Sequence, residues 1–555
     1  MQAFYFPAII NSKRRQENTL ARKAGNLFTT AYLLLIFGVY PFYMKQGYVD
    51  IGKAKYHFFL YCSLSAIAIL SLISIVCGVQ TLLLRRREKS VLSMFPANLS
   101  LTDMFVILYV AELFLSFVHS DYRREAFWGT EGWYMGLVLF LILCSLYFLI
   151  SRLWVPNTLI YYVGMTVSGI VFILGILDRF SLYLIPLEIR QPGFISTLGN
   201  INWFCGYLSV LAPLGICPLI FRRQNMTLIL YTILAFTAGF CQGSNSIFLF
   251  WGALLFVLLW AGASNKLWLI NCLFPVSLWC FSALPVRMLL FLFPGGYNYE
   301  ADNPCLSLAE SNAVLLMGVI TLVLFVFLRK RNCQKTLQTA HAPGLIPPDK
   351  RPVLPQSGLK RQVHIILAVS LSVGLFLWLL LSLINTRSGI PLFSQSSLFL
   401  LNASWGNGRG ASLKAGWDLF CQMSPAQKLL GAGPDCFSSL AYSLPEMAAW
   451  LNNAFGGNRL TNAHNELLTC LVNTGIAGTF LYLGILLSFM GRCLKRGAKH
   501  KSLYPLAACV FCYLVHNLVS FSQVLNLPLL FLIMGMGEAI LRRETAIACF
   551  PDSKG

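Results

Sequence analysis

Apolar runs of about twenty residues recur fourteen times along this 555-residue chain, and no other feature constrains its fold as strongly. A helix of that length crosses the roughly 30 Å hydrocarbon core of a bilayer, and only a helix or a closed barrel satisfies its backbone inside lipid. The runs extend from 27–44 to 504–519 and 526–541. Hydrophobic residues make up 57% of the chain and charged ones 11%, against about a quarter charged in an ordinary soluble domain. No polar stretches exist to cover cores of that size. A soluble enzyme, a disordered chain and a nucleic-acid binder are excluded. The expected fold is all-α: a polytopic transmembrane helical bundle of about 12–14 spans.

The net charge of +21 is an orientation signal. Short loops rich in Lys and Arg stay on the cytoplasmic side. With the N-terminus inside, cytoplasmic segments hold 29 of the 42 Lys and Arg residues and external ones 13, so both termini are expected to be cytoplasmic. The basic N-terminus (Lys13, Arg14, Arg15, Arg22, Lys23) leads into a first span ending in Tyr40-Pro41-Phe42-Tyr43, which reads as an uncleaved anchor. Most of the seventeen cysteines, such as Cys62, Cys144 and Cys272, fall inside spans and act there as small apolar residues. The Cys509-x-x-Cys512 pair, also within a span, is read as packing rather than as a redox or metal site.

Two segments between spans stand out. Residues 329–362 carry eight basic residues and a run of prolines, and read as a flexible cytoplasmic linker. Residues 385–466 form one long external loop region, expected to contain short helices; a loop of that size is usually functional. The runs at 267–286 and 287–294 read as one bent helix or as a span with a re-entrant tail. No internal repeat is visible, which weighs against a transporter. Of the ionisable residues inside spans, Glu112 and His516 are the clearest, and each is read as hydrogen-bonded to a neighbouring helix.

The external loop contains the chemistry. Arg409 lies between Gly408 and Gly410, and the apolar pattern after Gly410 predicts an amphipathic helix starting there. Free N–H groups at a helix start, next to a guanidinium, make an anion site suited to phosphate or pyrophosphate. Lipid headgroups, or Asp418, are the alternative partners of Arg409. Downstream, Gly431-Ala432-Gly433-Pro434-Asp435 predicts a tight turn in which Asp435 caps the following segment. In Ala463-His464-Asn465-Glu466-Leu467, His464 is placed in the first turn of the twelfth span, at the external boundary. The positive dipole end keeps its imidazole neutral, so that it can accept a proton; the alternative is an interfacial anchor.

Taken together these elements resemble the O-antigen ligase and O-antigen polymerase-like membrane glycosyltransferases. The resemblance is carried by Gly408-Arg409 with Trp417, by Gly431 to Phe437, by Ala463-His464-Asn465-Glu466-Leu467 with Thr474-Gly475-Ile476-Ala477-Gly478, and by Gly199-Asn200-Ile201-Asn202-Trp203-Phe204 with Gly206-Tyr207-Leu208. It divides the chain into N-terminal helices (1–198), a ligase-like core (199–490) and C-terminal helices with a tail (491–555). It implies a GT-C-like arrangement in a bacterial cytoplasmic (inner) membrane. The implied activity is transfer of a glycan from a polyprenyl-pyrophosphate carrier to a hydroxyl of a glycan, lipid or protein acceptor, without metal or cofactor.

In that reading His464 is the general base, Arg409 with Gly408 and Gly410 holds the donor pyrophosphate, and Asn465 and Glu466 orient or line the site. Where the family often has Ser-Arg-Gly, this chain has Gly243-Ser244-Asn245-Ser246-Ile247, so either a second cation comes from Arg190, Arg287 or Arg387, or the donor is bound differently. The rival class is a lipid-linked oligosaccharide flippase or another multi-span transporter.

Overall fold

The computed structural model describes residues 20–87, 99–221, 225–300, 303–340, 357–387 and 399–548. Each of the fourteen apolar runs is helical over most of its length. The helices of the first half are α1 (Leu20–Gly38), α2 (Ile51–Arg87), α3 (Leu101–His119), α4 (Arg123–Trp128), α5 (Leu137–Leu153), α6 (Leu159–Arg179), α7 (Ile201–Ile216), α8 (Met226–Cys241) and α9 (Ile247–Gly262). Then come α10 (Lys266–Asn271), α11 (Leu273–Phe281), α12 (Ala283–Leu292), α13 (Pro304–Glu310), α14 (Asn312–Ala340) and α15 (Ser357–Arg387). Four short helices follow: α16 (Trp405–Gln422), α17 (Pro425–Leu430), α18 (Phe437–Ser443) and α19 (Pro445–Ala454). The last three are α20 (Glu466–Gly497), α21 (Leu503–His516) and α22 (Leu527–Ala548). Strands among the described residues are limited to the antiparallel pair Phe194–Ile195 and Gly199–Asn200.

Nine helical stretches among the described residues are long and apolar enough to cross a bilayer. Four further apolar helices, α5, α8, α9 and α21, run 14 to 17 residues. At about 1.5 Å per residue these fall short of a roughly 30 Å core, so not every expected run is a full-length span. The α7 span is 89% buried and forms part of the centre, whereas that of α15 is 6% buried. On α15 the side chains of Ile365, Ile366, Val369, Phe376 and Leu380 point outward. Apolar rows of that length are stable only against lipid, and the chain is a multi-pass membrane protein.

Local chemistry sets the helix ends and bends. Ser100 Oγ accepts the Asp103 amide at 3.2 Å while the Asp103 carboxylate accepts the Ser100 amide at 2.8 Å, a reciprocal cap that opens α3. Helices α10, α11 and α12 make one bent span with joints at Cys272 and Ser282. Pro275 and Pro285 explain both joints, because a proline displaces the carbonyl four residues before it. The expected linker at 329–362 is helical at both ends, as α14 runs to Ala340 and α15 starts at Ser357; its proline-rich middle, 341–356, lies outside the described residues. The α14 helix persists because no proline interrupts 312–340. Helix α20 likewise runs past residue 490 to Gly497, and one hydrophobic core takes in residues from Tyr32 to Leu541.

The feature that shapes the candidate site is a break in α20. Gly475 adopts φ +64° and ψ −169°, interrupting the helix after its first turns. A break inside a bundle frees carbonyls that need donors. Here the Val472 and Asn473 carbonyls accept the Ala432 and Gly433 amides, each at 2.9 Å. A Cβ on Gly475 would strike the Leu429 carbonyl, so glycine is required for the approach as well as for the angle. A second, smaller core joins these parts, with Leu419, Phe437, Leu440, Leu451, Ala463 and Val472 packed together. Residues 388–398 of the expected loop region lie outside the described residues; the rest of it, from 399 onward, is a folded cap of short helices on the bundle.

Candidate functional site

His464 stands immediately before α20, whose N-cap is Asn465. Asn465 Oδ1 accepts the Leu468 amide at 2.9 Å, and its Nδ2 donates to the Leu518 carbonyl at 2.8 Å. The helix therefore starts two residues after His464, which corrects the placement of that residue in the first turn. Its backbone is left-handed (φ +49°), held by donation of the His464 amide to Asn462 Oδ1 at 2.9 Å. The ring lies edge-on to Phe521, with centroids 5.3 Å apart. Phe521 in turn meets Trp133 at 4.9 Å, and Trp133 meets Trp203 at 5.7 Å. Burial, helped by the charge of Arg409, lowers the imidazole to about 4. It is neutral at physiological pH, though burial and not a helix dipole is the main cause.

Arg409 comes from α16, which docks on the His464 segment through Gly416. A Cβ there would stand 2.9 Å from Ala463 Cβ and 2.8 Å from Leu468 Cδ2. The chain begins to coil at Trp405, but Gly406 and Gly408 take positive φ (+60° and +85°), which a right-handed helix does not hold, so the regular part of α16 begins only after Gly408, close to the expected start at Gly410. Arg409 and Gly410 stand in its first turn, where the Ala411 amide is taken by the Ala403 carbonyl at 3.0 Å. Gly410 serves close packing, since a Cβ on it would strike the Asn402 carbonyl. The guanidinium donates from Nη1 to the Gly406 carbonyl at 3.1 Å and from Nη2 to Asn202 Oδ1 at 3.4 Å. Its Nε is buried without a hydrogen-bond partner, and no carboxylate among the described residues, Asp418 included, pairs with it. Burial pulls its pKa below the usual arginine value.

Glu466 points into the bundle. Its Oε1 accepts from Tyr482 Oη (2.5 Å), Tyr513 Oη (2.9 Å) and Ser522 Oγ (2.9 Å), and its Oε2 accepts from the Asn517 amide. It orients its surroundings and does not share a face with His464. Asp435 is structural in a different way from the expected cap. Its Oδ2 accepts the Thr130 amide at 2.7 Å and the Met135 amide at 3.0 Å, tying down the loop after α4, while α18 has no side-chain cap. Burial raises the Asp435 carboxyl to about 7. Trp417 is 56% exposed and takes no part in the site.

Of the cations considered for a second phosphate contact, Arg190 pairs with Asp178 at 3.6 Å and stacks on Tyr183. Arg287 holds the Ala309 carbonyl and Asn312 Oδ1, and Arg387 is exposed at the end of α15. The cation that packs against the Gly243–Ser246 turn is Arg179, which sequence reasoning missed. Its Nη2 donates to the Gln242 carbonyl at 2.6 Å, its guanidinium lies 4.5 Å from the Tyr299 ring centroid, and Gly243 leaves room for both.

Asn202, Ser244, Ser246 and His516 also belong here. Ser244 Oγ donates to Asn202 Oδ1 at 2.7 Å, and His516 Nε2 lies 3.2 Å from Ser246 Oγ. The signals were present in the Asn200–Phe204 stretch, the Gly243–Ile247 stretch and the intramembrane histidine, but spacing does not tell that they converge. His516 is hydrogen-bonded to a neighbouring segment, as expected of it. Glu112 is not: both its carboxyl oxygens are buried without a hydrogen-bond partner, and Oε2 packs so closely against Gly478 that a Cβ there would strike it.

No protein-family model matches the chain, and no curated protein matches it. The site's chemistry follows from its residues alone. An arginine without a counter-ion attracts an anion, and a neutral, half-buried imidazole beside it accepts a proton.

Proposed function

We propose that the protein is a membrane glycosyltransferase of the O-antigen ligase-like class, moving a glycan from a polyprenyl-pyrophosphate carrier to an acceptor hydroxyl at the external face of a bacterial cytoplasmic membrane. The observation that carries this reading is the pairing of an arginine lacking a carboxylate partner with a neutral histidine at one capped end of the bundle. His464 takes the proton as the acceptor oxygen attacks the anomeric carbon. The bond from that carbon to the pyrophosphate oxygen breaks, and the charge growing on the leaving group meets Arg409. Bound pyrophosphate also offsets the charge of Arg409, which raises the basicity of His464 when the donor is in place. Asn465 fixes the segment that carries His464.

The transporter reading draws support from one observation, an unpartnered Glu112 beside a broken helix. One experiment separates the two readings. His464→Ala is introduced in the native host, protein level in the membrane is checked, and lipid-linked glycan is sized. Transfer predicts accumulation: long polymer on the carrier for a ligase, single repeat units for a polymerase. An unchanged profile at normal protein level overturns the catalytic role of His464 and leaves transport.

A further inference from the structure

We infer that Glu466, Asn517, His516, Ser246 and Ser244 form one buried hydrogen-bonded chain that sets the direction of the Arg409 guanidinium, and that these five are positioning residues for the anion it receives. The inference deepens the pyrophosphate reading and rests on it.

The donors run outward from Ser246, toward Glu466 on one side and toward Asn202 on the other. Glu466 only accepts, and it fixes the Asn517 amide N–H on its Oε2. That turns Asn517 Oδ1 toward His516, where it accepts the Nδ1 proton at 2.9 Å. Nε2 is then left as an acceptor for the Ser246 hydroxyl at 3.2 Å. With the Ser246 hydroxyl spent on His516 and that of Ser244 on Asn202, the link between the serines is the Ser246 backbone amide, which donates to Ser244 Oγ at 3.3 Å and keeps the two Oγ atoms 2.8 Å apart. The Ser244 proton goes to Asn202 Oδ1 at 2.7 Å, the same oxygen that receives Arg409 Nη2.

All five members of the chain are buried, between 0% and 5% exposed. Buried polar groups are costly unless satisfied, and a satisfied network holds one orientation. This one crosses from α20 through the end of α21 and the turn before α9 to α7, and it ends on a cation with no carboxylate partner. A network serving packing alone has no reason to end there. Beside this network Gly206 on α7 makes room for the Asn526 side-chain amide, which a Cβ there would strike, while the His516 ring would stay in ordinary contact at 3.6 Å.

The test uses the full chain in lipid nanodiscs, with inorganic pyrophosphate as the probe and the thermal midpoint as the control for folding. Arg409→Lys is expected to weaken binding about tenfold or more, since lysine loses the planar fork. Ser246→Ala removes one hydroxyl and is expected to weaken binding roughly three- to tenfold with an unchanged midpoint. In the double variant Arg409→Lys/Ser246→Ala, binding should be no weaker than in Arg409→Lys alone, because the serine acts only through the arginine. His516→Gln, which keeps an amide within reach of Ser246, should retain binding where His516→Leu loses it. Wild-type affinity in Ser246→Ala, or losses that multiply in the double variant, overturns the inference while leaving the pyrophosphate contact standing. Equal behaviour of wild type and Arg409→Lys, with binding or without it, removes the contact itself and the inference with it.

Discussion

At the residue scale, His464 is the most informative position. Its candidacy as a base was legible in the sequence from a histidine at a span boundary, in a stretch that resembles the ligase-like family, although it was expected inside the first helical turn. The cause of its neutrality was not, because burial depends on Phe521 and on an arginine 55 positions away. The cause has a measurable consequence. With a pKa of about 4 in the free protein, the imidazole is active above that value and protonated, hence inactive, below it. Since kcat/KM reports the free protein and kcat the complex, the acidic limb of kcat/KM belongs near 4 and that of kcat above it, once pyrophosphate faces Arg409. Glycan transfer measured against pH in membranes checks this. An acidic limb of kcat/KM at the ordinary histidine value of about 6.5 would show that His464 is not buried as described.

At the element scale, the motif Thr474-Gly475-Ile476-Ala477-Gly478 could be read as the continuation of a span, and a glycine pair in a helix says no more than that. The structure gives the two glycines separate tasks. Gly475 breaks α20 so that the Gly431–Gly433 turn can donate to the freed carbonyls, and Gly478 allows Glu112 and Thr474 to pack directly against the helix. The turn and the break are one device, and the residues that join them are forty positions apart, beyond the reach of any periodicity. Gly475→Ala is therefore expected to cost about 1–2 kcal/mol for the left-handed backbone alone, with a further penalty for the Leu429 carbonyl. The thermal midpoint of the purified protein should fall by roughly 3 °C or more. Gly252→Ala is the control: it lies within α9, a Cβ there meets open space, and alanine favours a helix. If both variants melt with the wild type, the break does not hold the cap in place.

At the scale of the whole molecule, composition and run length determine the class of fold without any motif, because lipid leaves helices as the solution for apolar runs of this length. They do not determine packing: α7 is central and α15 peripheral through side-chain contacts, although both are apolar enough to span, with mean hydropathies of 1.7 and 2.5. Orientation depends on charge counting, and the protein carries its own reporters for it. Cys333, on the extension of α14, and Cys421, near the end of α16, are the exposed cysteines among the described residues. The charge distribution predicts Cys333 on the cytoplasmic side and Cys421, with His464, on the external side. In spheroplasts a membrane-impermeant maleimide should therefore label Cys421 and spare Cys333, and after permeabilisation it should label both. Cys421→Ser and Cys333→Ser assign each signal. The reverse pattern would put Arg409 and His464 on the cytoplasmic side, where a nucleotide-activated sugar is the natural donor, and the lipid-pyrophosphate reading would fall whatever the site residues do.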